Sequence, residues 1–173
     1  MIQLTYEPGF DAFHAAFRLL RLRPIIARSG PLHRDHVRII DFYQLFPYRI
    51  EDIRLKPQHR RFHNLAKAYE SKRPYGKQPD DRLLFDRMER LQLTALDTLA
   101  ARGFIDSECW KRSEVGATQI DYPDALAARI GALNQSEADL ESFLNVLGSE
   151  YELTGPNGLK ARTGLMEYRQ DAV

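Results

Sequence analysis

One segment of the chain, residues 34–47, is too apolar to lie at a protein surface. It reads RDHVRIIDFYQLFP, and half of its fourteen residues are bulky and apolar: Val37, Ile39, Ile40, Phe42, Tyr43, Leu45 and Phe46. A helix over this stretch leaves three positions for a polar stripe, namely Arg38, Asp41 and Gln44. We therefore predict the central helix of a helical core, ended by Pro47.

Apolar residues spaced three or four apart predict another helix before this segment. It begins at Asp11, whose side chain suits the N-cap position. Its buried face should contain Phe13, Phe17 and Leu20. Because Pro24 falls inside the pattern, it should kink or end this helix.

Four more helices are predicted after the central one, over residues 58–71, 81–102, 123–133 and 136–148. Gly103 suits the left-handed position that ends the longest of them. Ser136 and Asp139 resemble a capping box that opens the last, and Gly148 should end it.

Two short strands are predicted between these helices, at residues 104–105 and 117–120. Helices followed by a hairpin, which would form the wing, are typical of a winged helix-turn-helix. We predict a mainly α fold with a small β-hairpin, of the α+β class. A single winged-helix-like domain with flanking N- and C-terminal helices would cover residues 1–150, and a loose C-terminal tail would cover residues 151–173.

Cysteine content and hydropathy narrow the class of protein. The single cysteine, Cys109, excludes an intrachain disulfide and a cysteine-rich zinc site within these 173 residues. No apolar run approaches the roughly 20 residues that a membrane helix needs. The start of the chain lacks the basic-then-apolar pattern of a secretory signal. We expect a cytoplasmic protein.

The charges are unevenly distributed, although the formal net charge is only +1. Residues 18–73 contain 14 Lys and Arg against 5 Asp and Glu, whereas residues 121–173 contain 4 against 9. This asymmetry indicates either partners of opposite sign or ion pairs between the two halves of the chain.

Few side chains are arranged for metal binding. His59 and His63 stand four apart on a predicted helix, but a metal site needs at least a third ligand. Arg60 and Arg61 lie between them and would repel a cation. The glycines stand alone and form no phosphate-binding loop. We predict no metal and no cofactor.

Two residues were candidates for catalysis. Asp41 lies on an apolar helix and should be a buried carboxylate paired with Arg18, Arg21 or Arg38. Cys109 has Lys111 close by, as well as Arg112, and these could lower the pKa of its thiol. No second carboxylate or base is adjacent to Asp41 in the sequence, and no histidine stands near Cys109, so we predict that the protein is not an enzyme.

Winged helices commonly read DNA by placing the N-terminal part of the recognition helix in the major groove. That part of this chain contains Asp80, Asp81 and Asp86, which would face the phosphates. The basic side chains lie instead on the first helix and in residues 54–77. Because the carboxylates would repel the DNA phosphates, a winged-helix DNA-binding transcriptional regulator is the alternative function and not the preferred one.

Two stretches resemble a family of bacterial defence proteins. They are FHAAFRLLRL at residues 13–22 and HVRIIDFYQLFPYRI at residues 36–50. The family comprises the middle components of ABC three-component systems, which are conflict modules related to the Lamassu type. The similarity is strongest over residues 10–50, and its most specific part is DFYQLFP at residues 41–47.

The resemblance implies a winged-helix subunit without an active site. Such a subunit would bridge an SMC- or RecN-like ABC ATPase and an effector, often a nuclease, in defence against phages or plasmids. Its partners would be these two proteins of the same operon, with weak nonspecific DNA contact through the complex. No catalytic residue is carried over from the family.

We predict two partner-binding surfaces. The first is a basic face formed by Arg18, Arg21, Arg60, Arg61 and Lys67. The second is the wing around Trp110, with Lys111 and Arg112 beside it.

Overall fold

The computed structural model of the protein describes residues 11–76 and 78–168. Most of these residues are helical. The helices are α1 (Ala12–Ser29), α2 (Arg34–Leu45), α3 (His63–Ala68), α4 (Asp81–Ala101), α5 (Ser107–Lys111), α6 (Asp124–Ser136), α7 (Ala138–Glu150) and α8 (Leu159–Thr163). Two short strands, β1 (Leu32–His33) and β2 (Glu114–Val115), form an antiparallel sheet. The predicted mainly α class with a small antiparallel β element is confirmed.

The central position of α2 is confirmed by its burial. Its large apolar side chains are at most 1% exposed: Val37, Ile39, Ile40, Phe42 and Tyr43. The predicted polar stripe is buried too, since Arg38, Asp41 and Gln44 are at most 6% exposed. Because α1, α4 and α7 all contact it, this helix has no solvent-facing stripe along its middle.

Of the two predicted effects of Pro24, a kink or a helix end, the helix end is wrong, because α1 continues to Ser29. A proline has no N–H to donate to the carbonyl four residues earlier, which here belongs to Leu20. The Tyr122 hydroxyl donates to that carbonyl at 2.7 Å. A side chain from another part of the chain thus replaces the missing hydrogen bond.

The buried face of α1 also differs from the predicted one at its start. Phe13 is 87% exposed and does not contribute to the core. The residues of α1 that are almost fully buried are Ala15, Leu19, Leu22, Ile25 and Ile26. The first turn therefore extends beyond the core, and the apolar spacing alone did not reveal this.

The predicted hairpin is reduced to a single bridge between its two strands, and the two-stranded sheet is formed by another pairing. Leu32 lies opposite Val115 in the sheet formed by β1 and β2, and Ile105 forms an isolated antiparallel bridge with Ala117. The predicted turn contains α5, because the Asp106 side chain accepts the Cys109 N–H at 2.8 Å and caps a helical turn.

The predicted helix over residues 58–71 is divided into three pieces. A 3-10 turn at Pro57–Phe62 leads into α3, and a second turn follows at Glu70–Lys72. No side chain caps α3 at its N-terminus, which agrees with its short length. Phe62 nevertheless lies in the core.

The long helix α4 begins and ends as predicted. The Asp80 side chain accepts the Leu83 N–H at 2.9 Å and caps its start. At its end, Gly103 has a φ of +76° and the Phe104 N–H donates to the Leu99 carbonyl at 2.9 Å. This pattern is a Schellman motif, which requires a left-handed residue after the helix.

The last helices differ from the prediction at their ends. Ser136 is the last residue of α6, and its hydroxyl donates to the Leu133 carbonyl, so the predicted capping box is wrong. Gly148 lies buried inside α7 instead of ending it. A Cβ added at Gly148 would lie 3.0 Å from Cγ2 of Ile25, so the glycine allows α7 to approach α1 closely.

Residues 151–168 are not loose. Leu159 and Leu165 are fully buried, and Tyr151 is 4% exposed. The Tyr151 hydroxyl accepts the Lys56 N–H at 2.9 Å. None of the helices in the described part of the chain is long and apolar enough to span a bilayer.

Candidate functional site

The Asp41 carboxylate forms the predicted buried ion pair, and its partner is Arg18. The Arg18 Nε atom lies 2.7 Å from Oδ1, and its second guanidinium nitrogen lies 3.1 Å from Oδ2. Asp41 is 0% exposed and Arg18 is 5% exposed. This two-point contact joins α1 to α2 inside the core.

Gln92 extends this pair into a buried network that the sequence analysis missed. Its Nε2 atom donates to Asp41 Oδ2 at 2.9 Å, and its Oε1 atom accepts from Arg38 Nε at 3.1 Å. Gln92 follows Met88 by four residues and therefore lies on the apolar face of α4. A polar residue on this face was the sequence signal that could have indicated a buried hydrogen-bonding group.

Arg38 completes the network on the side of α2 that faces α4. Its guanidinium lies 4.5 Å from the centroid of the Phe85 ring and 2.9 Å from the Asp35 carboxylate. The side chains of Asp41, Gln92 and Arg38 thus bond to one another and to neighbouring groups of the protein. The arrangement links α1, α2 and α4, and the Asp41 carboxylate at its centre is fully buried.

Arg21, predicted to be part of the basic face, also points inward. It is 5% exposed and donates to Asn134 Oδ1 at 2.8 Å and to Glu137 Oε2 at 2.8 Å. Glu141 lies 3.4 Å away. Burial raises the pKa of the Glu141 carboxyl, and the Arg21 charge opposes this. Like Arg18, Arg21 therefore binds other parts of its own chain.

His59 and His63 do not converge on a common point. Nδ1 of His59 lies 2.9 Å from the Tyr151 hydroxyl, and its Nε2 atom lies 3.4 Å from Glu150. Nε2 of His63 lies 3.0 Å from the Ile53 carbonyl. Within residues 11–76 and 78–168, no three His, Cys, Asp or Glu side chains are grouped as metal ligands would be.

The wing residues are only partly available as a surface. Trp110 is half-buried, and its indole N–H donates to Asp97 of α4 at 2.6 Å. Lys111 and Arg112 are exposed, and each lies within 3.4 Å of a carboxylate oxygen, from Glu108 and Glu114 respectively. Trp110 thus holds α5 against α4, while the two cations face solvent.

The Cys109 thiol is not activated by its basic neighbours. Burial raises its pKa, and the Asp106 carboxylate raises it further. The Arg112 charge acts in the opposite direction but is outweighed. The suggestion that the basic neighbours lower this pKa is therefore wrong.

The remaining residues of the predicted basic face, Arg60, Arg61 and Lys67, are exposed. They belong to residues 54–67, which we call the basic segment. It contains five Lys and Arg residues, and no Asp or Glu occurs between Asp52 and Glu70. The structure therefore separates the predicted face into two inward-pointing arginines and one exposed cationic surface.

The start of α4 is less acidic at its surface than its sequence suggests. Asp81 forms an ion pair with Arg49 and is half-buried. Burial raises the pKa of Asp81, while Arg49 opposes this. Asp86 faces solvent, and so do three arginines of α4, namely Arg82, Arg87 and Arg90.

Large apolar side chains are exposed at four scattered places in the described residues: Phe13, Tyr75, Leu83 and Ile120. An open, shallow cavity of about 460 Å³ lies beside Ile120 and Arg23. The Arg23 guanidinium donates to the Thr118 carbonyl at 2.5 Å and lies 4.8 Å from the centre of the Tyr122 ring. Arg23 is thus used for packing at the edge of this cavity.

Comparison with known proteins identifies the family. No curated protein and no solved structure matches the chain. The family model of the ABC-three component (ABC-3C) system Middle Component 5 matches residues 4–171, which is nearly the whole sequence. The chain therefore belongs to the Middle Component 5 family of ABC three-component systems.

Proposed function

We propose that this protein is a non-catalytic adaptor that bridges an SMC- or RecN-like ABC ATPase and an effector, often a nuclease. The complex would act in the cytoplasm against phages or plasmids, in a system related to the Lamassu type. Membership of a middle-component family supports the adaptor role. The identity of the partners and the bridging itself are part of the proposal.

The proposal depends on one observation: the side chains that could take part in catalysis are bonded to other groups of the protein. Asp41 is fully buried between Arg18 and Gln92, and His59 bonds to Tyr151. A general base must reach a substrate proton, and a nucleophile must be accessible. These residues instead stabilise the fold, so function should depend on the surfaces of the protein.

We also propose that the domain is a divergent winged helix. Residues 114–117 pair with two separate partners. Glu114 and Val115 pair with β1, and Ala117 forms a bridge with Ile105. The segment between Ile105 and Glu114 would correspond to the wing. The order of these elements supports the assignment. Along the chain they are α1, β1, α2, α4, the bridge residue Ile105, the wing segment and β2. In place of an extended wing, the chain forms the short helix α5.

The proposed protein-binding surface is the wing, because it combines aromatic and cationic side chains that interfaces favour. Trp110 is half-buried, and Lys111 and Arg112 face solvent beside it. The exposed basic segment, with Arg60, Arg61 and Lys67, was predicted as a partner-binding surface too, but it has no exposed aromatic side chain and is not proposed to bind a protein. Arg18 and Arg21 would contribute only indirectly, by holding α1 in place.

Co-expression with the neighbouring genes of the operon tests the adaptor role. The wild-type chain should co-elute in size-exclusion chromatography with an ABC ATPase, an effector or both. The variant Lys111→Glu/Arg112→Glu should co-elute less, whereas Arg87→Glu/Arg90→Glu on α4 should behave as wild type. A wild-type chain that elutes alone in the presence of both neighbours would contradict the proposal.

A sequence-reading transcriptional regulator remains the second candidate, because of the surface of α4. Arg82, Arg87 and Arg90 face solvent, whereas Asp81 is directed toward Arg49. This function requires tight, sequence-selective binding to operon DNA. Mobility shifts that are equal for operon DNA and for random duplexes would exclude it.

A further inference from the structure

The basic segment, residues 54–67, has a surface of cations that the protein does not neutralise. In the part of the chain that the structure describes, no carboxylate lies within ion-pair distance of the exposed Arg60, Arg61 and Lys67. Several other surface cations are paired with carboxylates: Lys72 with Glu137, Arg73 with Glu51 and Glu70, Lys111 with Glu108, and Arg112 with Glu114. The exposed Arg82, Arg87 and Arg90 of α4 form no such ion pair with the described residues and serve below as the control. The positive charge of this segment is thus available to an external anion.

The backbone that presents these cations is fixed by contacts with the rest of the fold. The Arg54 N–H donates to the Arg162 carbonyl at 3.1 Å, and the Lys56 N–H donates to the Tyr151 hydroxyl at 2.9 Å. Phe62 is 7% exposed and lies in the core. Because the segment is already ordered, a ligand would need to immobilise only the side chains.

The neutral neighbours of these cations decide which class of anion fits. The exposed non-ionic residues include Gln58 and Asn64, whose amides can donate hydrogen bonds. No large apolar side chain of the segment is exposed, since Phe62 is buried and Leu65 is half-buried. Protein interfaces concentrate their binding energy in buried aromatic and apolar anchors, which this surface lacks.

Among polyanions, nucleic acid is the class that fits this surface. The neighbouring side chains also indicate whether a single strand or a duplex fits best. Single strands are bound by stacking bases on exposed aromatic rings, and none is exposed between residues 54 and 67. Dedicated double-stranded RNA-binding domains contact two successive minor grooves over about 16 base pairs, and duplex RNA is therefore included as a competitor in the test. The phosphates of duplex DNA require only closely spaced cations and amide donors.

We infer that the basic segment binds the phosphate backbone of double-stranded DNA without reading its sequence. This contact is made by the isolated chain and does not depend on the adaptor role or on α4. If Arg60, Arg61 and Lys67 each contact one phosphate, a fourfold rise in salt concentration lowers the affinity by about 40-fold.

The test titrates a labelled DNA duplex of random sequence with the purified full chain. The affinity is measured by fluorescence anisotropy at several salt concentrations. The test variant is Arg60→Gln/Arg61→Gln/Lys67→Gln. The control variant is Arg82→Gln/Arg87→Gln/Arg90→Gln, which removes the same charge from exposed positions of α4. Both variants have the same net charge, so a difference between them reports position.

The test variant should lose at least about tenfold in affinity at low salt, and its salt slope should fall by about three. The control should bind within about twofold of wild type. Circular dichroism checks that both variants are folded. If the triple variant is not, the three single substitutions replace it, and each should lower the slope by about one.

Several results would overturn the inference. A wild-type chain without salt-dependent binding would do so, and so would equal losses in the two variants. A larger loss in the control would place DNA on α4. Tighter binding to single-stranded DNA or to duplex RNA would assign the segment to another nucleic acid. Loss of co-elution with a protein neighbour, without loss of DNA affinity, would assign it to that protein.

The adaptor role is tested separately, because the co-expression experiment measures protein partners and this one uses the chain alone. DNA binding can therefore fail while co-elution succeeds, and the reverse can also occur. The two outcomes are read independently.

Discussion

The Asp41 carboxylate shows how a charged residue is retained in the centre of this core. An isolated charge at a fully buried position would cost several kcal/mol, so its partners must compensate for the lost water. Arg18 supplies the opposite charge, and Gln92 fills a further acceptor site. Because each partner belongs to a different helix, the network favours one relative placement of these helices.

Substitution of Asp41 by Asn should therefore destabilise the protein more than removal of the whole pair. Asp41→Asn removes the carboxylate that pairs with the buried Arg18, and we expect a loss of about 3–5 kcal/mol in the free energy of unfolding. The double variant Arg18→Met/Asp41→Leu removes both charges and should lose less. Urea denaturation followed by circular dichroism measures both. A double variant less stable than the single one would refute this account.

His36 should make the stability of the protein depend on pH. Burial lowers the pKa of its imidazole below the usual 6.5, although the Leu147 carbonyl and Glu152 oppose this and His33 adds to it. Below about pH 6.5 the unfolded chain binds a proton that the folded protein resists, so protonation favours unfolding. The contribution of His36 is complete above that pH and is lost as the pH falls toward the lowered value.

We expect the free energy of unfolding of the wild type to fall between about pH 7.5 and about pH 5.5, by at most about 1.4 kcal/mol per pH unit from this group. The variant His36→Gln keeps a donor for the Leu147 carbonyl but cannot be protonated. Its pH profile should be flatter in urea denaturation. Parallel profiles for the two proteins would show that His36 does not titrate in this range.

At the scale of elements, α1 shows why a local rule can fail. Pro24 predicts a kink or a helix end because it cannot bond to the Leu20 carbonyl. Tyr122 makes that bond from the loop before α6, about a hundred residues later in the chain. The continuation of α1 to Ser29 thus depends on a contact that no local pattern contains.

A double-mutant cycle tests this dependence. Tyr122→Phe leaves the Leu20 carbonyl without its donor and should cost about 1–3 kcal/mol in the free energy of unfolding. In the Pro24→Ala background, the new backbone N–H can bond to Leu20, so the same substitution should cost less. Thermal or urea unfolding of the four proteins gives the coupling energy. Equal costs in both backgrounds would mean that the hydroxyl does not compensate for the proline.

Helix ends that are set by neighbouring residues were predictable from the sequence, whereas pairings between distant residues were not. The limits of α2 and α4 were predictable because Pro47, Asp80 and Gly103 act on their immediate neighbours. The sheet was not, because Leu32 pairs with Val115, which lies almost half the chain length away. A short strand of two residues has too little alternation to be recognised.

The same reasoning applies to the candidate site. A carboxylate inside an apolar helix requires a cation, so Asp41 and its pairing with an arginine were predictable. Gln92 was missed because an amide on an apolar helix face is neutral and does not demand a partner by itself. Exposure was the least predictable property, since Arg21 and Arg60 look alike in sequence but have opposite environments.

For the whole molecule, the uneven distribution of charge is partly resolved inside the fold. The basic front half and the acidic back half contact each other through ion pairs of Arg21 with Glu137 and Glu141 and of Lys72 with Glu137. Of the two sequence-based explanations, ion pairing between the halves is therefore confirmed for these residues. The basic segment is the part of the front half for which an external partner is still proposed.

Leu165 gives a direct test of whether the segment after Glu150 is part of the folded unit. It is 0% exposed, although it lies in the stretch predicted as a loose tail. Leu165→Ala should cost about 2–5 kcal/mol in the free energy of unfolding, because it removes buried apolar surface and leaves a cavity. Leu83→Ala, at a position that is 41% exposed, is the matched control and should cost far less. If the two variants unfold at the same urea concentration, residues 151–168 do not contribute to the cooperative core, and the boundary predicted at residue 150 would stand. A large loss confined to Leu165→Ala would instead place these residues within a single folding unit with α2 and α7.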